Sequence, residues 1–466
     1  MITKYNRLMF LLLLLASSII INSQTILYVK KGSTGNGSSW NNAYGEVADA
    51  LKFAKQNETQ WTATNTLQIW VAKGTYKPKY SPNTGDNLKE NPTDPRDVSF
   101  LLVNNVQLYG GFAGNETDRN ARDSETNKTT LSGDIGIEND ITDNAYSVVI
   151  SFGKYAQEPI TANTVLDGFT ISGGNANKYG DRTINGISSY RNYGGGMYNV
   201  SSSPTLTNVT LSGNVALFGG GMYNSNSSSP ILTNVTISEN TATANGGGMY
   251  NLSSSSPTLT NATISGNKAA NGGGIFNLSS SSPTLTNITI SGNKATNGGG
   301  MYNYESSPIL TNVTISGNTT IYQGDGMYNN GSSPMLTNVT ISGNKSGNYS
   351  NNGVIYNSGS SKPKIYNSII LGNNNSTILG NHKGIYNANT TEDVPEIKNS
   401  LVQGLENTDN GNISAKDVNA TDIFVNPVLA TTDNPTTDGD FSLKDGAVVI
   451  NKGNNALYDV ATFGDK

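Results

Sequence analysis

The sequence predicts an all-β protein: a parallel β-helix solenoid with three short strands in each coil of about 26 residues. Three observations predict this fold. Between Gly194 and Asn373 the chain repeats a unit that reads GGGMYN, then SSSSPTLTN, then ATISGN. Apolar residues alternate within each short segment, which is typical of strands. Gly, Asn, Ser and Pro separate the segments, and a repeat rich in glycine and β-branched residues disfavours helices.

The N-terminus predicts export. Lys4 and Arg7 precede an apolar run at residues 8–16, and Ser23 offers a cleavage point, so residues 1–23 are predicted to be a secretory signal peptide. The run is short for a bilayer span, and two serines interrupt it. We therefore expect a secreted protein and not an integral membrane protein.

Residues 24–160 are predicted to hold an N-terminal cap and the first coils. Val47, Ala50, Leu51 and Ala54 lie at helical spacing, which predicts a short amphipathic helix. Because an open β-helix end is a sheet edge, such a helix can close one end of the barrel.

Residues 161–375 are predicted to form the repeat β-helix, with three rows of apolar residues pointing inward. Its first two rows are Met197, Met222, Met249, Ile275, Met301 and Met327, and Leu206, Leu232, Leu259, Leu285, Leu310 and Leu336. The third row comes from pairs such as Val235 and Ile237. A single coil buries too little to fold alone, so we expect the array to fold as a unit.

Asparagine recurs at three fixed places in the repeat, at the ends of MYN, LTN and SGN. Asparagine tolerates left-handed turns, and its amide can bond to an identical amide one coil away. We therefore predict three asparagine ladders at the corners. The LTN asparagines, such as Asn261, also begin N-x-T acceptor sequons. We expect this ladder to point inward too, which would make the sequons an accident of strand composition.

The repeat motifs resemble known families. GGGMYN, GGGIFN and SGN are similar to repeats of bacterial polymorphic outer membrane proteins, which belong with the right-handed parallel β-helix proteins of the pectin-lyase-like superfamily. Residues 164–177 resemble an entry coil of that group, and residues 27–54 resemble its N-terminal cap. Residues 376–466 are predicted to hold C-terminal coils and a closing segment, of which residues 424–455 resemble the closing module of bacterial surface proteins. The resemblance implies a right-handed helix on the outer surface of a Gram-negative bacterium.

Composition argues against several functions. The formal net charge is −5, so nucleic acid is not an expected partner, and there is no cysteine. Between Gly194 and Asn344 the only acidic residues are Glu239, Glu305 and Asp325. The repeats thus lack the clustered carboxylates of pectate-lyase-like or polygalacturonase-like enzymes. We predict no catalytic residue, no metal site and no cofactor. The acidic run at residues 134–143, together with Asp118, Arg119, Arg122 and Asp123, is either a solvated loop or a cation site or polar cleft.

The candidate ligand-binding surface is an aromatic stripe that follows the inward Met or Ile position. Outward-facing rings one coil apart can bind sugar rings or stack on one another as a structural ladder. The stripe consists of Tyr223, Tyr250, Phe276, Tyr302 and Tyr328.

Two functions follow from these observations. The first is a non-enzymatic, adhesin-like or structural protein at the cell surface, with a host-surface or polysaccharide ligand. The alternative is a carbohydrate-active protein, either a polysaccharide lyase or a polysaccharide binder, that uses the charged N-terminal coils.

Overall fold

The computed structural model describes residues 25–84, 88–154, 158–347, 353–375, 383–406, 408–431 and 434–454. The predicted signal peptide lies outside these residues. Within them the chain winds into a right-handed parallel β-helix, as the repeat predicts. No helix of the described residues is long and apolar enough to cross a membrane.

Each coil contributes one strand to each of three faces, which we call sheets 1, 2 and 3. Sheet 1 carries the MYN segments. Its strands are Phe100–Leu101, Val149–Phe152, Met197–Val200, Met222–Ser225, Met249–Leu252, Ile275–Leu278, Met301–Tyr304, Met327–Asn330, Gly353–Ser358 and Lys383–Asn387.

Sheets 2 and 3 carry the LTN and TIS segments and join into one continuous sheet. The strands of sheet 2 are Thr25–Val29, Leu67–Ala72, Val106–Phe112, Val165–Asp167, Thr205–Thr207, Ile231–Thr233, Thr258–Thr260, Met335–Thr337, Lys364–Tyr366 and Glu396–Lys398. Those of sheet 3 are Gly74–Tyr76, Thr129–Ser132, Thr170–Ser172, Thr210–Ser212, Thr236–Ser238, Thr263–Ser265, Thr340–Ser342, Ile369–Ile370 and Leu401–Val402. Two longer strands, Thr284–Ser291 and Ile309–Ser316, run through both sheets.

Short strands and hairpins complete the coils. A fourth, minor face follows the SGN corner. Its strands are Asn175–Ala176, Val215–Phe218, Thr241–Asn245, Lys294–Asn297, Thr319–Gln323, Lys345–Ser346 and Asn374–Asn375. The antiparallel hairpins are Tyr80–Ser81 with Lys89–Glu90, Asp181–Ile184 with Ile187–Tyr190, and Phe424–Asn426 with Asp440–Leu443.

Helices lie mainly in the N-terminal part and the C-terminal segment. The predicted capping helix is present at Val47–Gln56, and Val47, Ala50, Leu51 and Ala54 are all buried. The remaining helices are Trp40–Asn42, Glu58–Gln60, Pro95–Asp97, Arg119–Ala121, Asp409–Gly411 and Ala420–Ile423.

The inward rows are confirmed. Every Met, Leu and Ile of the two predicted rows is fully buried, and so is Ile237, with Val235 1% exposed. Coils stack residue on residue, with Met222 paired to Met249 and Leu232 to Leu259. The core is therefore a set of axial columns, in which each side chain packs on its own kind.

Two of the three predicted asparagine ladders are internal, and the third is not. Asn251 and Asn267, in the MYN and SGN ladders, are fully buried and donate to Asn277 and Asn293 at 2.9 Å. Our prediction for the LTN ladder was wrong, because Asn261 is exposed. The LTN asparagines have φ between +52° and +57°, and this left-handed residue turns the corner between sheets 2 and 3 with its side chain outward.

A serine ladder that the sequence did not suggest occupies the turn before the proline. Ser255 is fully buried, and its Oγ accepts a hydrogen bond from the backbone N–H of Ser228 at 3.1 Å. Ser255 in turn donates its own N–H to Ser281 Oγ at 3.1 Å. What looks like a flexible serine turn is thus a buried, hydrogen-bonded column.

The C-terminal segment folds back along the side of the helix. Thr436 N donates to Gly317 O at 3.0 Å, and Ala430 N donates to Gly343 O at 2.9 Å. These two glycines are SGN corner residues of successive coils. The segment therefore covers the SGN corners of the later coils and leaves the earlier ones, such as Gly213, open.

Candidate functional site

The first coils carry a groove on the outer face of sheet 2, which we call the outer groove. It is shallow and largely open to solvent, with a volume of about 460 Å³, and it is lined by Gln68, Trp70, Thr117, Asp118, Arg119 and Asn120. Two strands of sheet 2 form its floor, and a loop between sheets 2 and 3 forms its wall.

The floor is built from a repeated pair of residues, a glutamine and the aromatic residue two positions after it on the same strand, which we call a Gln–aromatic pair. Gln68 and Trp70 on one strand pair in register with Gln107 and Tyr109 on the next. Because side chains alternate, both residues of each pair face outward. Trp70 Nε1 donates to Gln68 Oε1 at 2.8 Å, and Tyr109 OH donates to Gln107 Oε1 at 3.1 Å. In each pair the aromatic group donates to the amide oxygen. Gln107 Nε2 lies 3.5 Å from Asn163 O and donates to it, so the amide N–H groups of Gln68 are the ones that face the groove.

Packed aromatic rings make this floor rigid. Trp70 stacks on Phe112 with ring centroids 4.8 Å apart and planes 12° apart, and Tyr28 meets Trp70 edge-on at 5.7 Å. Trp70 is 4% exposed and Tyr109 is 6% exposed. The rings are therefore almost entirely covered, and they support the floor without offering open faces to the groove.

The wall is a loop fixed by its own acidic residues. The Glu116 carboxylate accepts the backbone N–H groups of Ala113, Gly114 and Asn115 at 2.6 to 3.0 Å. Burial acts to raise the pKa of Glu116, but these N–H groups outweigh it and the pKa is lowered. Asp118 caps the short helix that carries Arg119 by accepting from Asn120 N at 2.9 Å. Arg119 thus stands on a preformed support.

Two arginines supply positive charge beside the floor. Arg119 donates to Tyr109 OH at 2.9 Å, with its guanidinium 4.7 Å from the ring centre. Arg122 pairs with Asp167 at 2.5 Å, and Asp167 also accepts from Asn208 Nδ2 at 3.1 Å. Burial raises the pKa of Tyr109, which keeps its hydroxyl protonated even though Arg119 acts in the opposite direction. Since Asp167 neutralises Arg122, Arg119 is the arginine available to a ligand.

The acidic run at residues 134–143 forms a loop whose carboxylates bind its own backbone. Asp143 accepts from Ile137 N at 2.7 Å, and Asp134 accepts from Asn139 N at 3.0 Å. Lys77 lies 3.8 Å from Asp134. Among the described residues no three His, Cys, Asp or Glu side chains are grouped as a metal site would need.

The aromatic stripe forms a continuous stack on the outer face of sheet 1. Tyr223, Tyr250, Phe276, Tyr302 and Tyr328 follow one another with centroids 4.4 to 5.1 Å apart and planes 4° to 17° apart. The first three of these rings are 2%, 5% and 6% exposed, whereas the last two are half-buried. Burial raises the pKa of Tyr223, Tyr250 and Tyr302. Ligand binding by the stripe remains a prediction, and only its later coils offer ring surface.

Sequence reasoning found part of the wall of the outer groove, since Asp118 and Arg119 belong to the predicted cation site or polar cleft, but it missed the floor. Its residues come from coils without the GGGMYN repeat, and only strand register brings them together. One signal was present: LQIWVA and VQLYGG share a Gln-x-aromatic step, at Gln68 and Trp70 and again at Gln107 and Tyr109. Two strands with the same outward step predict a built surface.

No family model and no curated protein matches this sequence. Among solved structures, the chain is similar to pectate lyase Pel9A, with 14% identity, a TM-score of 0.48 and 93% of each chain covered. A carrot pectin methylesterase matches with 9% identity and a TM-score of 0.34, over 82% of this chain and 90% of that one. The A-module of the Azotobacter vinelandii mannuronan C-5 epimerase AlgE4 matches with 15% identity and a TM-score of 0.29, over 81% and 97%.

Proposed function

We propose that this protein binds a polysaccharide in the outer groove of its N-terminal coils. The observation that carries the proposal is that two Gln–aromatic pairs lie in register beside Arg119. They are Gln68 with Trp70 and Gln107 with Tyr109. A rigid floor with fixed amides, backed by aromatic rings, is a surface on which binding costs little ordering of side chains.

The groove matches the chemistry of a sugar chain. Gln68 Nε2 is an N–H donor with no partner in the described part of the chain, and it suits a sugar hydroxyl. Arg119 keeps guanidinium N–H groups beyond the one given to Tyr109, and such a fork suits paired hydroxyls or a carboxylate. Asp118 on the same wall can accept from hydroxyls. The groove therefore offers donors and acceptors within one open cleft.

Location is part of the same proposal. As a signal peptide, residues 1–23 would direct export from the cytoplasm and would then be cleaved. The resemblance of the repeats supports display on a bacterial outer surface. In that setting polysaccharide binding would serve attachment, including attachment to a host surface, without turnover.

Lyase activity is the second candidate. Arg119 lies beside the Arg122–Asp167 pair, and its guanidinium could neutralise the carboxylate of a bound uronate, which would make the neighbouring C–H proton easier to remove. Formation of a product would distinguish lyase activity from binding alone. Polygalacturonate and alginate should be incubated with the protein, with and without Ca²⁺, and ultraviolet absorbance should be followed for an unsaturated product. A catalytic rise in absorbance that Arg119→Ala abolishes would replace the binding proposal with a lyase.

The binding proposal is tested with two variants that each remove one positive charge. Arg119→Ala removes the groove arginine, whereas Lys128→Ala removes an exposed lysine that pairs with Glu125 outside the groove. Affinity electrophoresis against polyuronates, sulfated polysaccharides and neutral glucans should reveal a ligand. We expect Arg119→Ala to bind at least about tenfold more weakly, which corresponds to about 1.4 kcal/mol, and Lys128→Ala to bind as the wild type does. Absence of any ligand, or equal weakening by both variants, would contradict the proposal.

A further inference from the structure

The outer asparagine ladder, at the LTN corner between sheets 2 and 3, presents amide groups to solvent. Asn208, Asn234 and Asn261 are exposed members of this ladder, and we call them the open asparagines. Asn234 Nδ2 donates to Asn208 Oδ1 at 3.2 Å. A side-chain amide has two N–H groups and an oxygen with two lone pairs, so the ladder uses only part of this capacity. The open asparagines therefore offer donors and acceptors to a ligand at a spacing of about 4.8 Å along the axis.

The far end of the same ladder shows what such an amide binds. Asn367 follows Tyr366, which pairs in register with Thr337, so Asn367 holds the LTN position of its coil. Asn367 Nδ2 donates to the backbone oxygen of Asn454 at 3.0 Å, and Asn454 N donates back to Asn367 Oδ1 at 2.9 Å. A ladder asparagine thus binds an amide N–H and an amide C=O at the same time.

The surface beside the open asparagines carries hydroxyl groups and one exposed apolar side chain. Ile231 lies on the same strand as Thr233 and is 41% exposed, whereas its in-register neighbours are Thr205 and Thr258. Amides, hydroxyls and an apolar contact suit an acetamido sugar, because its amide group ends in a methyl group and its ring carries hydroxyls. The threonines that flank the ladder are Thr207, Thr233 and Thr260 on sheet 2 and Thr210, Thr236 and Thr263 on sheet 3.

The ladder begins beside the outer groove. Asn208 Nδ2 donates to Asp167 Oδ1 at 3.1 Å, and Asp167 also pairs with Arg122 on the wall loop that carries Arg119. Asp167 pairs in register with Thr207, the residue before Asn208, so the ladder continues the same corner of the helix. A polymer that leaves the groove past these arginines therefore reaches Asn208 first and the other open asparagines next.

We propose that the open asparagines bind the acetamido groups of an N-acetylated polysaccharide whose chain continues from the outer groove, an inference that rests on polysaccharide binding by that groove. In a secondary amide the N–H and the C=O point in opposite directions. One acetamido group can therefore accept a hydrogen bond from one asparagine and donate one to the asparagine of the next coil. Its methyl group packs on the apolar surface beside the ladder.

A polypeptide also carries amide groups, but its spacing fits the ladder less well. In an extended polypeptide the peptide groups on one side recur every two residues, about 6.7 Å apart, whereas successive coils are about 4.8 Å apart. The described part of the C-terminal segment meets two ladder positions, Asn367 and Asn399, and the second contact, to Lys452 O, is 3.5 Å long. A pyranose residue in an extended chain is close in length to one coil spacing, so a sugar polymer stays in register over more coils.

Matched oligosaccharides test the acetamido group directly. The β-1,4-linked hexamers of N-acetylglucosamine and of glucose differ at one substituent of each ring, and titration calorimetry on the wild-type protein gives their affinities. We expect the N-acetylglucosamine hexamer to bind at least about tenfold more tightly, because several amide hydrogen bonds are lost together in the glucose hexamer. Acetylated and amidated hexaglycine, which offers peptide groups without sugar rings, should bind more weakly than the N-acetylglucosamine hexamer. In saturation-transfer NMR the acetyl methyl protons should receive the strongest transfer from the protein.

A pair of asparagine variants tests where that hexamer binds. Asn234→Gly removes an open amide and keeps the left-handed backbone, and Asn226→Gly is the matched control. Asn226 is exposed, lies at another turn of the same coil and has the same φ of +55° as Asn234. We expect Asn234→Gly to bind the N-acetylglucosamine hexamer about threefold to tenfold more weakly, and Asn226→Gly to bind it as the wild type does.

The outcomes separate binding by the open asparagines from binding by the groove. Absence of binding of the N-acetylglucosamine hexamer, equal affinity for the two hexamers, equal binding by the two asparagine variants, or tighter binding of hexaglycine would each overturn the acetamido proposal. Groove binding would survive any of these results if Arg119→Ala still weakened the binding of another polysaccharide. Weakening by Asn234→Gly but not by Arg119→Ala would retain the open asparagines as a site and contradict the groove.

Discussion

Docking of the C-terminal segment onto the SGN corners can be tested by comparing two glycines that share a backbone conformation. Gly213 and Gly317 have φ of +64° and +63°, so alanine at either position meets the same left-handed strain of about 1 to 2 kcal/mol. The surroundings differ. A Cβ at Gly213 has nothing within 4 Å, whereas a Cβ at Gly317 overlaps the carbonyl oxygen of Thr436.

Gly317→Ala must therefore displace the segment as well as strain the corner. Displacement loses the 3.0 Å hydrogen bond from Thr436 N to Gly317 O, worth about 0.5 to 1.5 kcal/mol, together with the packing around it. We expect the free energy of unfolding to fall by about 1 to 2 kcal/mol in Gly213→Ala and by about 1 kcal/mol more in Gly317→Ala.

Two assays separate the effects. Guanidinium unfolding gives the stability difference, and hydrogen exchange reports the backbone amides of Thr436 and Ala430. Both amides should remain protected in the wild type and in Gly213→Ala, and should exchange quickly in Gly317→Ala. Equal stability of the two variants together with unchanged protection of Thr436 would refute the docking.

Two further predictions follow from the ladders. Asn267→Ala removes the acceptor of the buried Asn240 N–H and should lower the free energy of unfolding by at least about 2 kcal/mol. Asn261→Gly, at an exposed left-handed position, should lower it by less than about 0.5 kcal/mol. Equal losses on guanidinium unfolding would contradict the assignment of inner and outer ladders. Burial raises the pKa of Tyr223 and Tyr250 above the unfolded value of about 10. Their contribution to stability is therefore complete below that pH and is lost as the pH rises through the folded pKa values. A free energy of unfolding that stays constant from pH 9 to 12 would contradict this.

The repeat region was predictable from sequence because one pattern is written many times. Alternation placed Met249 and Leu259 in the core, and both are fully buried. Alternation fails at the corners. Between Leu259 and Ala262 both Thr260 and Asn261 turn away from the core, since the left-handed Asn261 adds a residue to the bend. A rule in which side chains alternate strictly between inside and outside cannot predict that bend.

The candidate site was much less predictable. Gln68, Gln107 and Arg119 are far apart in sequence and lie in coils that lack the repeat, so no periodic signal aligns them. Their juxtaposition depends on the register of sheet 2 and on a loop whose shape is fixed by Glu116. The aromatic stripe shows the opposite case. Its sequence signal is strong, yet the rings of Tyr223 and Tyr250 stack on each other and are buried, which leaves little ring surface for a ligand.

The measurement that tests polysaccharide binding by the outer groove most directly is hydrogen exchange of the wild-type protein with and without the polysaccharide found in the binding screen. The loop at residues 113–123 forms the wall of the groove and carries Arg119, so its amides should exchange more slowly when ligand is bound. Peptides from the aromatic stripe, such as 301–304 and 327–330, should be unaffected. Slower exchange confined to the stripe, or no change in the loop at saturating ligand, would contradict the account.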